Sequence, residues 1–304
     1  MKKELRVTIV GPGRLGSTLA RALHAAGVPV VEVVYRAAGS RKSTKRLARL
    51  IGAKAAEFKD AGFGETGSFA RLNGRGRPFP HQQSDVVWIC VGDSAIAKTA
   101  SEMAGRRPWK GTTVFHSSGA LAADELEPLR RAGAKVASVH PMMSFVGSST
   151  PSMKGVAFAL EGDAAAVTVA KKLVKRLGGY SFQLAKEDKP LYHAMGAFVS
   201  PLIVAQMATA ERIGRELGLS PRQTRKIVAP ILLQTVRNYI EHGPAAAFSG
   251  PIVRGDAGTI RSNLEALCRV AGAAEIYRAL AKVAVQELPS KDAAGIRKAI
   301  EQIS

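Results

Sequence analysis

The segment KPLYH, residues 189–193, places a lysine, a tyrosine and a histidine at the start of a stretch that is otherwise almost wholly apolar. Charge beside such a stretch is costly unless it has a partner or a chemical task. On a helix, Lys189 and His193 share one face, one turn apart. A lysine whose pKa is lowered by burial, or a histidine, can donate a proton near neutral pH. The structural alternative is a solvated lysine and a core histidine bonded to backbone. Tyr192 is expected to point elsewhere on the helix and to serve in packing.

A glycine-rich turn, VGPGRLG, lies between a continuous apolar run and a helical pattern near the start of the chain. In this GxGxxG spacing, Gly11 permits a tight turn, Gly13 lets the backbone approach a pyrophosphate, and Gly16 allows the helix to pack closely. The helix N-terminus adds free N–H groups for the anion. The context predicts dinucleotide binding, with a bare glycine-rich turn as the alternative. The predicted cofactor-binding residues of this turn are Gly11, Pro12, Gly13, Arg14, Leu15 and Gly16.

The end of the second predicted strand, YRAAGSRKS, indicates which dinucleotide is bound. NAD-selective sites usually carry an acidic residue about 20 residues after the glycine loop, to bind the ribose 2′-hydroxyl. Here Tyr35 and Arg36 occupy that place, followed by Ser40, Arg41 and Lys42. These residues favour a 2′-phosphate, which a guanidinium can bind with two hydrogen bonds. We therefore predict NADP rather than NAD; the alternative is that the loop cations are merely solvated.

Polar residues follow three further predicted strands, and the C-terminal ends of parallel strands meet at one rim where ligands bind. We expect Val91 and Gly92 beside the cofactor ribose or nicotinamide, and Ser117 and Ser118 as donors to a substrate carboxylate or carbonyl. Asp93 belongs to the same rim, although it could simply cap the next helix. His116, His140 and His193 lack the local spacing of a metal site, so no metal is predicted. The predicted catalytic candidates are Lys189, His193, Ser117, Ser118 and His140, and the further cofactor contacts are Val91, Gly92 and Asp93.

The elements that must position these residues alternate between strand and helix in the first half of the chain. Strands are predicted at 5–11, 28–36, 84–92, 112–119, 134–141 and 155–162. Helical patterns separate the first strands, which indicates an α/β fold with a doubly wound, mostly parallel Rossmann sheet. A glycine- and proline-rich stretch at 60–84 predicts a long surface loop. After residue 186 the pattern is helical, so we predict a Rossmann domain at 1–186 and an all-α domain at 187–304, with Pro201 as a kink.

Composition excludes several classes of protein. The 304 residues are 46% apolar and carry two cysteines, Cys90 and Cys268, which argues against a disulfide framework and favours the cytoplasm. We expect no secretory leader and no membrane-spanning stretch. The net charge of +20 is spread along the chain without interleaved aromatics, so nucleic-acid binding is a minor alternative. The alanine-rich helical half suits a homodimer contact.

Five segments carry a resemblance: VTIVGPGRLGSTLA, FHSSGAL, SVHPMMSF, DKPLYHAMGAF and GPIVRGDAGTI. In this order they resemble the Rossmann-like family whose C-terminal half is known as domain of unknown function 2520. Its wider relatives are the β-hydroxyacid dehydrogenases, pyrroline-5-carboxylate reductase, ketopantoate reductase and prephenate dehydrogenase. The resemblance implies an NADP-dependent oxidoreductase fold with a helical domain, often dimeric, and no particular substrate. The chain departs from the family pattern at Gly92, where proline is expected, and at Asn263, where histidine often stands.

By this resemblance, Lys189 lies at about the place where related dehydrogenases carry a catalytic lysine. It would be the proton donor or an electrostatic stabiliser, and His193 its partner or the donor itself. The expected function is hydride transfer between NADP(H) and a small carbonyl, imine or hydroxy-acid substrate, which could be anionic. The alternative is an NADP-binding regulatory or scaffold protein without turnover. In the GPIVRGDAGTI segment, Asp256 is expected to cap a helix, while Arg254 could bind an anionic substrate group or pair with Asp256.

Overall fold

The computed structural model describes residues 4–36, 38–63, 84–147 and 149–302. The chain divides into two compact units, Met1–Phe198 and Val199–Ser304. This division falls later than the predicted boundary at 186, because Lys189 and Tyr192 bond to strand-end residues of the first unit. Most of the loop predicted at 60–84, namely residues 64–83, lies outside the described part of the chain.

The first unit is built around a sheet of eight strands. They are β1 Val7–Val10, β2 Val30–Tyr35, β3 Lys54–Glu57, β4 Val86–Ile89, β5 Thr113–His116, β6 Lys135–Pro141, β7 Ala157–Gly162 and β8 Tyr180–Gln183. Their order in the sheet is β3-β2-β1-β4-β5-β6-β7-β8. Neighbouring strands are parallel except for β6 and β7, which are antiparallel. The predicted doubly wound, mostly parallel sheet is therefore confirmed.

Helices cover both faces of this sheet. They are α1 Arg14–Ala25, α2 Arg41–Leu50, α3 Asp93–Ala104, α4 Glu127–Arg131 and α5 Ala164–Arg176, while α6 Lys189–Val199 contacts the strand ends. Because side chains alternate between the faces of a strand, the sheet has two apolar cores. One joins Ile9 of β1 to Leu19 of α1 and Leu173 of α5. The other joins Ile89 of β4 to Ile96 of α3. Fully burying such a side chain stabilises the fold by about 1.5–3 kcal/mol.

The strands β3 and β8 were missed by the sequence prediction. Both have only four residues, KAAE and YSFQ, and both lie at an edge of the sheet. Edge strands need no continuous apolar run, because one side of the strand has no neighbour and the faces are partly solvated. The antiparallel pairing of β7 with β6 was also not predicted, because the periodicity of apolar residues does not indicate the direction of a strand.

The second unit is helical throughout its described part. Its helices are α7 Pro201–Glu216, α8 Pro221–Ala247, α9 Pro251–Arg254, α10 Ala257–Leu267, α11 Ala273–Glu287 and α12 Ala293–Glu301. The predicted break before Pro201 is present, at Ser200. Ser220 caps α8 in a reciprocal capping box with Gln223. Asp256 caps α10 by accepting a hydrogen bond from the Thr259 amide, which confirms that expectation.

One apolar stretch bears on the expectation that the chain has no membrane-spanning segment. Residues 190–210 contain no Asp, Glu, Lys or Arg, and the helical stretch Lys186–Glu216 is long and apolar enough to span a membrane by length and composition. Only 6% of its most apolar window is buried. The face of α6 that holds Lys189 and Tyr192 packs within the first unit.

Candidate active site

The glycine turn brings the end of β1 against the end of β4. Gly11 has φ +89°, and a Cβ added to it would lie 2.8 Å from the Cys90 carbonyl oxygen. A Cβ on Gly16 would lie 2.2 Å from the Gly11 carbonyl oxygen. These two glycines are required by the packing of the turn itself.

Gly13 differs from its neighbours because nothing in the described chain requires glycine there. Its φ is −69°, and an added Cβ would meet no atom within 4 Å. Helix α1 starts at the next residue without a side-chain cap and without an acidic residue in its first turn. The first N–H groups of α1 are therefore available to an anion that approaches the backbone at Gly13.

The residues after β2 present cations beside this turn. The Arg36 guanidinium lies 3.9 Å from the centre of the Phe58 ring and pairs with Glu102 at 2.7 Å. Arg41 and Lys42 form the exposed first turn of α2, after Ser40. Tyr35 is buried within the sheet, so its side chain contributes to the core.

The ends of β4, β5 and β6 gather the predicted polar residues at one rim, because these strands are parallel neighbours. Val91 and Gly92 follow β4, and Gly92 is the N-cap residue of α3. Asp93 does not cap α3; its carboxylate accepts a hydrogen bond from the Ser118 hydroxyl at 2.8 Å. The same hydroxyl oxygen accepts bonds from the backbone amides of Ala120 and Leu121, which fixes the loop after β5.

Lys189 is the most deeply buried charged group of this site, with a relative exposure of 1%. Its ammonium donates to the Ser138 hydroxyl at 2.8 Å and to the Ser118 carbonyl at 3.2 Å. Burial lowers the pKa of Lys189, while the charges of Glu161 and Asp93 oppose that change. The solvated lysine considered from the sequence is therefore excluded.

Three aromatic rings adjoin the lysine. The His140 Nδ1 and the Tyr192 hydroxyl are 2.9 Å apart, and the ring centres of His140 and His193 are 6.5 Å apart. A Cβ on Gly119 would lie within 3.0 Å of both imidazoles, so glycine allows them to approach this backbone. Burial, reinforced by the charges of Lys189 and His193, lowers the pKa of His140 to about 4. His140 is therefore neutral near pH 7, while His193 is exposed.

Tyr192 is packed, as predicted, but its hydroxyl also reaches His140, which was not predicted. It is 6% exposed, and burial raises the pKa of Tyr192 to about 12, so its hydroxyl stays protonated beside His140. Ser138 was missed as well. Its position in β6, two residues before His140, places both side chains on the same face of the strand and supplies the signal that would have found it.

Ser117 and His116 are held by structural partners. The buried indole of Trp88 donates to the Ser117 hydroxyl at 2.7 Å. The His116 Nδ1 accepts from the Ser118 amide, so its Nε2–H donates to the Ala122 carbonyl at 2.9 Å. Burial lowers the pKa of His116 to about 4, and a neutral imidazole is what these two bonds require.

Residues 156–284 match the family model described as a domain of unknown function (DUF2520). The chain contains this domain. It runs from β7 through the KPLYH segment and into α11, so Lys189, Tyr192 and His193 belong to it, whereas the glycine turn precedes it. No curated protein sequence matches the chain.

Solved structures similar to this DUF2520-containing chain share its fold over nearly the whole length. A proposed NADP oxidoreductase from Bacteroides fragilis is 20% identical with a TM-score of 0.69, covering 92% of this chain and 97% of its own. An imine reductase from Myxococcus stipitatus, in complex with NADP⁺, is 19% identical with a TM-score of 0.62, covering 96% and 98%. A reductive aminase from Aspergillus terreus, in complex with NADPH and ethyl-5-oxohexanoate, is 17% identical with a TM-score of 0.60, covering 97% and 99%. At these identities the likeness establishes the fold.

Proposed function

We propose that the protein is an NADP-dependent oxidoreductase that transfers a hydride between NADP(H) and a small carbonyl, imine or hydroxy-acid substrate. One observation carries the proposal. A buried lysine, two histidines and a tyrosine converge at the ends of β5 and β6, on the rim that the glycine turn and β4 also reach. In doubly wound sheets this rim is where ligands bind.

The described residues fit the cofactor. Gly13 leaves its backbone open, the first turn of α1 offers N–H donors, and no acidic side chain lies in that turn. Arg36, Arg41 and Lys42 supply positive charge after β2, where a 2′-phosphate would be bound. The NADP⁺ and NADPH complexes of the imine reductase and the reductive aminase support this choice.

NADPH, when bound, would supply the hydride, and the chain must supply the proton and the electrostatic setting. His193 is exposed on the helix face shared with Lys189, and histidine is the commonest general acid near neutral pH. The Lys189 ammonium is committed to Ser118 and Ser138, so its role is to stabilise developing negative charge and hold the loop. His140 is neutral and bonded to Tyr192, and these two side chains lie beside Lys189 and His193. We refer to these four side chains as the polar wall of the site.

The substrate class follows from what this wall can do. A neutral His140 imidazole and the Tyr192 hydroxyl can hydrogen-bond an oxygen or nitrogen that gains negative charge during hydride addition, and His193 can give that atom a proton. The Aspergillus terreus reductive aminase also occurs in complex with cyclohexanone and allyl amine, which supports carbonyl and imine substrates.

Consumption of NADPH over a panel of oxo acids, ketones with amines, and cyclic imines tests the proposal. We expect turnover with at least one class, at a rate that falls in the His193→Asn variant. Calorimetric binding of NADPH without turnover on the whole panel would favour the regulatory alternative. No binding of either coenzyme to folded protein would refute the proposal.

We further propose a homodimer formed through the helical half, in the cytoplasm. Large apolar side chains are exposed along α8: Ile227, Ile231, Leu233, Val236, Tyr239 and Ile240. Several large apolar side chains exposed on one helix favour an interaction surface there. Light scattering should give twice the chain mass of 32.1 kDa. The free cysteines, Cys90 and Cys268, are compatible with a reducing compartment.

A further inference from the structure

The proposed 2′-phosphate ligand Arg36 has a carboxylate as its neighbour. The Arg36 Nη1 is 2.7 Å from the Glu102 Oε2, and the two side chains are 49% and 33% exposed. Glu102 lies in the last turn of α3, on a different element from the loop that carries Arg36. The pair therefore joins the end of β2, where a 2′-phosphate would be bound, to the last turn of the helix after β4.

The geometry of the pair is fixed by Phe58, in the 3₁₀ turn after β3. The Arg36 guanidinium stacks 3.9 Å from the centre of this buried ring. Arg106 also approaches the ring, at 4.8 Å, and its Nη1 donates to the Phe58 carbonyl at 2.7 Å. A guanidinium that stacks on a ring keeps its N–H groups free at its edge for in-plane acceptors. The Glu102 carboxylate pairs with one of these edge groups, the Arg36 Nη1.

We propose that Glu102 is a specificity-determining residue that limits the preference for NADP over NAD by competing with the 2′-phosphate for Arg36. The inference rests on the proposed function. A phosphate carries nearly two negative charges at pH 7, so it must displace or repel the carboxylate to bind the guanidinium with two bonds. NAD has a 2′-hydroxyl in place of this phosphate, so its binding does not require Glu102 to leave Arg36. A carboxylate can also accept a hydrogen bond from a ribose 2′-hydroxyl. Glu102 therefore weakens NADP binding while leaving NAD binding unchanged or improved.

Calorimetry on the full-length chain with NADPH and NADH tests this inference. Glu102→Gln keeps the shape of the side chain and removes its charge. We expect the ratio of the NADH to the NADPH dissociation constant to rise roughly two- to fivefold, the size of a half-exposed ion pair. Binding of 2′,5′-ADP should tighten by the same factor, while binding of 5′-AMP should not. This second pair of probes lacks the nicotinamide and so tests the 2′-phosphate contact alone.

Glu57→Gln is the matched control, because Glu57 ends the neighbouring strand β3 and pairs with Lys59 rather than with Arg36. It should change the ratio much less than Glu102→Gln does. In the Arg36→Gln background, the Glu102→Gln change should lose its effect, since the two residues act as a pair. An unchanged ratio in Glu102→Gln, or equal effects of the two glutamate variants, would overturn the inference alone. Failure of the wild type to bind either coenzyme would overturn the proposed function with it.

Discussion

His116 should make the fold sensitive to acid. Its Nδ1 accepts the Ser118 amide and its Nε2–H donates to the Ala122 carbonyl, so the folded chain holds it neutral. Its pKa is about 4 in the folded protein, against an ordinary value of 6.5. Because the folded pKa is the lower one, the unfolded chain binds more protons between these two values. Stability is therefore full above about pH 6.5 and is lost as the pH falls towards 4.

The size of the effect follows from the two pKa values. Between pH 7 and pH 5, a histidine with these values costs the fold about 2 kcal/mol. His140 has the same direction and the same value of about 4, so the wild type should lose roughly 4 kcal/mol from the pair. This is a large part of the 5–15 kcal/mol that typically stabilises a folded chain.

Urea unfolding of the wild type and of His116→Gln at pH 7 and pH 5 measures this loss. The variant is less stable at pH 7, because a buried pair of hydrogen bonds is disturbed, but its loss between the two pH values should be smaller by about 2 kcal/mol. Comparing variants removes the contribution of carboxyl groups such as Glu161, whose pKa is raised by burial. His24→Gln, at an exposed position at the end of α1, serves as the control and should keep the wild-type loss. An equal pH dependence in wild type and His116→Gln would refute the reasoning.

Three further predictions concern the site. Gly13→Ala should cost no more than about 1 kcal/mol, the loss of a glycine N-cap, yet weaken NADPH binding, whereas Gly16→Ala should cost about 2 kcal/mol or more because its Cβ meets the Gly11 carbonyl; calorimetry and urea unfolding separate the two. Tyr192→Phe removes one hydrogen bond to His140, costing about 1 kcal/mol, and should lower kcat more than it raises KM. His193→Asn, at an exposed position, should leave the unfolding midpoint unchanged and lower kcat about 100-fold; an unaltered kcat would remove it from the mechanism.

The parts of the fold that were predictable are those in which local chemistry and long-range packing agree. The run from Val7 to Val10 is buried on both faces of the sheet, and the glycine turn that follows needs its positive φ at Gly11. The first requirement is seen in the sequence as a continuous apolar run, and the second as a glycine at position 11. The edge strand β3 has no such requirement, because Lys54 and Glu57 face solvent along a single neighbour, and no periodicity distinguishes it from a loop.

The site was predictable in composition but not in its contacts. A strand-end rule places Ser118 and His140 near one another, since it depends only on parallel order. Which hydroxyl meets which imidazole depends on where α6 lies against the strand ends, and this position is set by tertiary packing. For that reason Tyr192 was assigned to packing although its hydroxyl reaches His140.

The position of α6 depends on the lysine at its first residue. Lys189 is the only residue of the KPLYH segment that bonds simultaneously to the loop after β5, through Ser118, and to β6, through Ser138. An ammonium buried at this depth is strongly destabilising without such partners, so the helix can start only where both acceptors are within reach. Because His193 lies one helical turn after Lys189, the hydrogen bonds of Lys189 also fix the position of His193 at the rim. Lys189 therefore has two roles. It places a positive charge at the strand ends, and it fixes the position of α6, whose next turn carries the proposed proton donor His193.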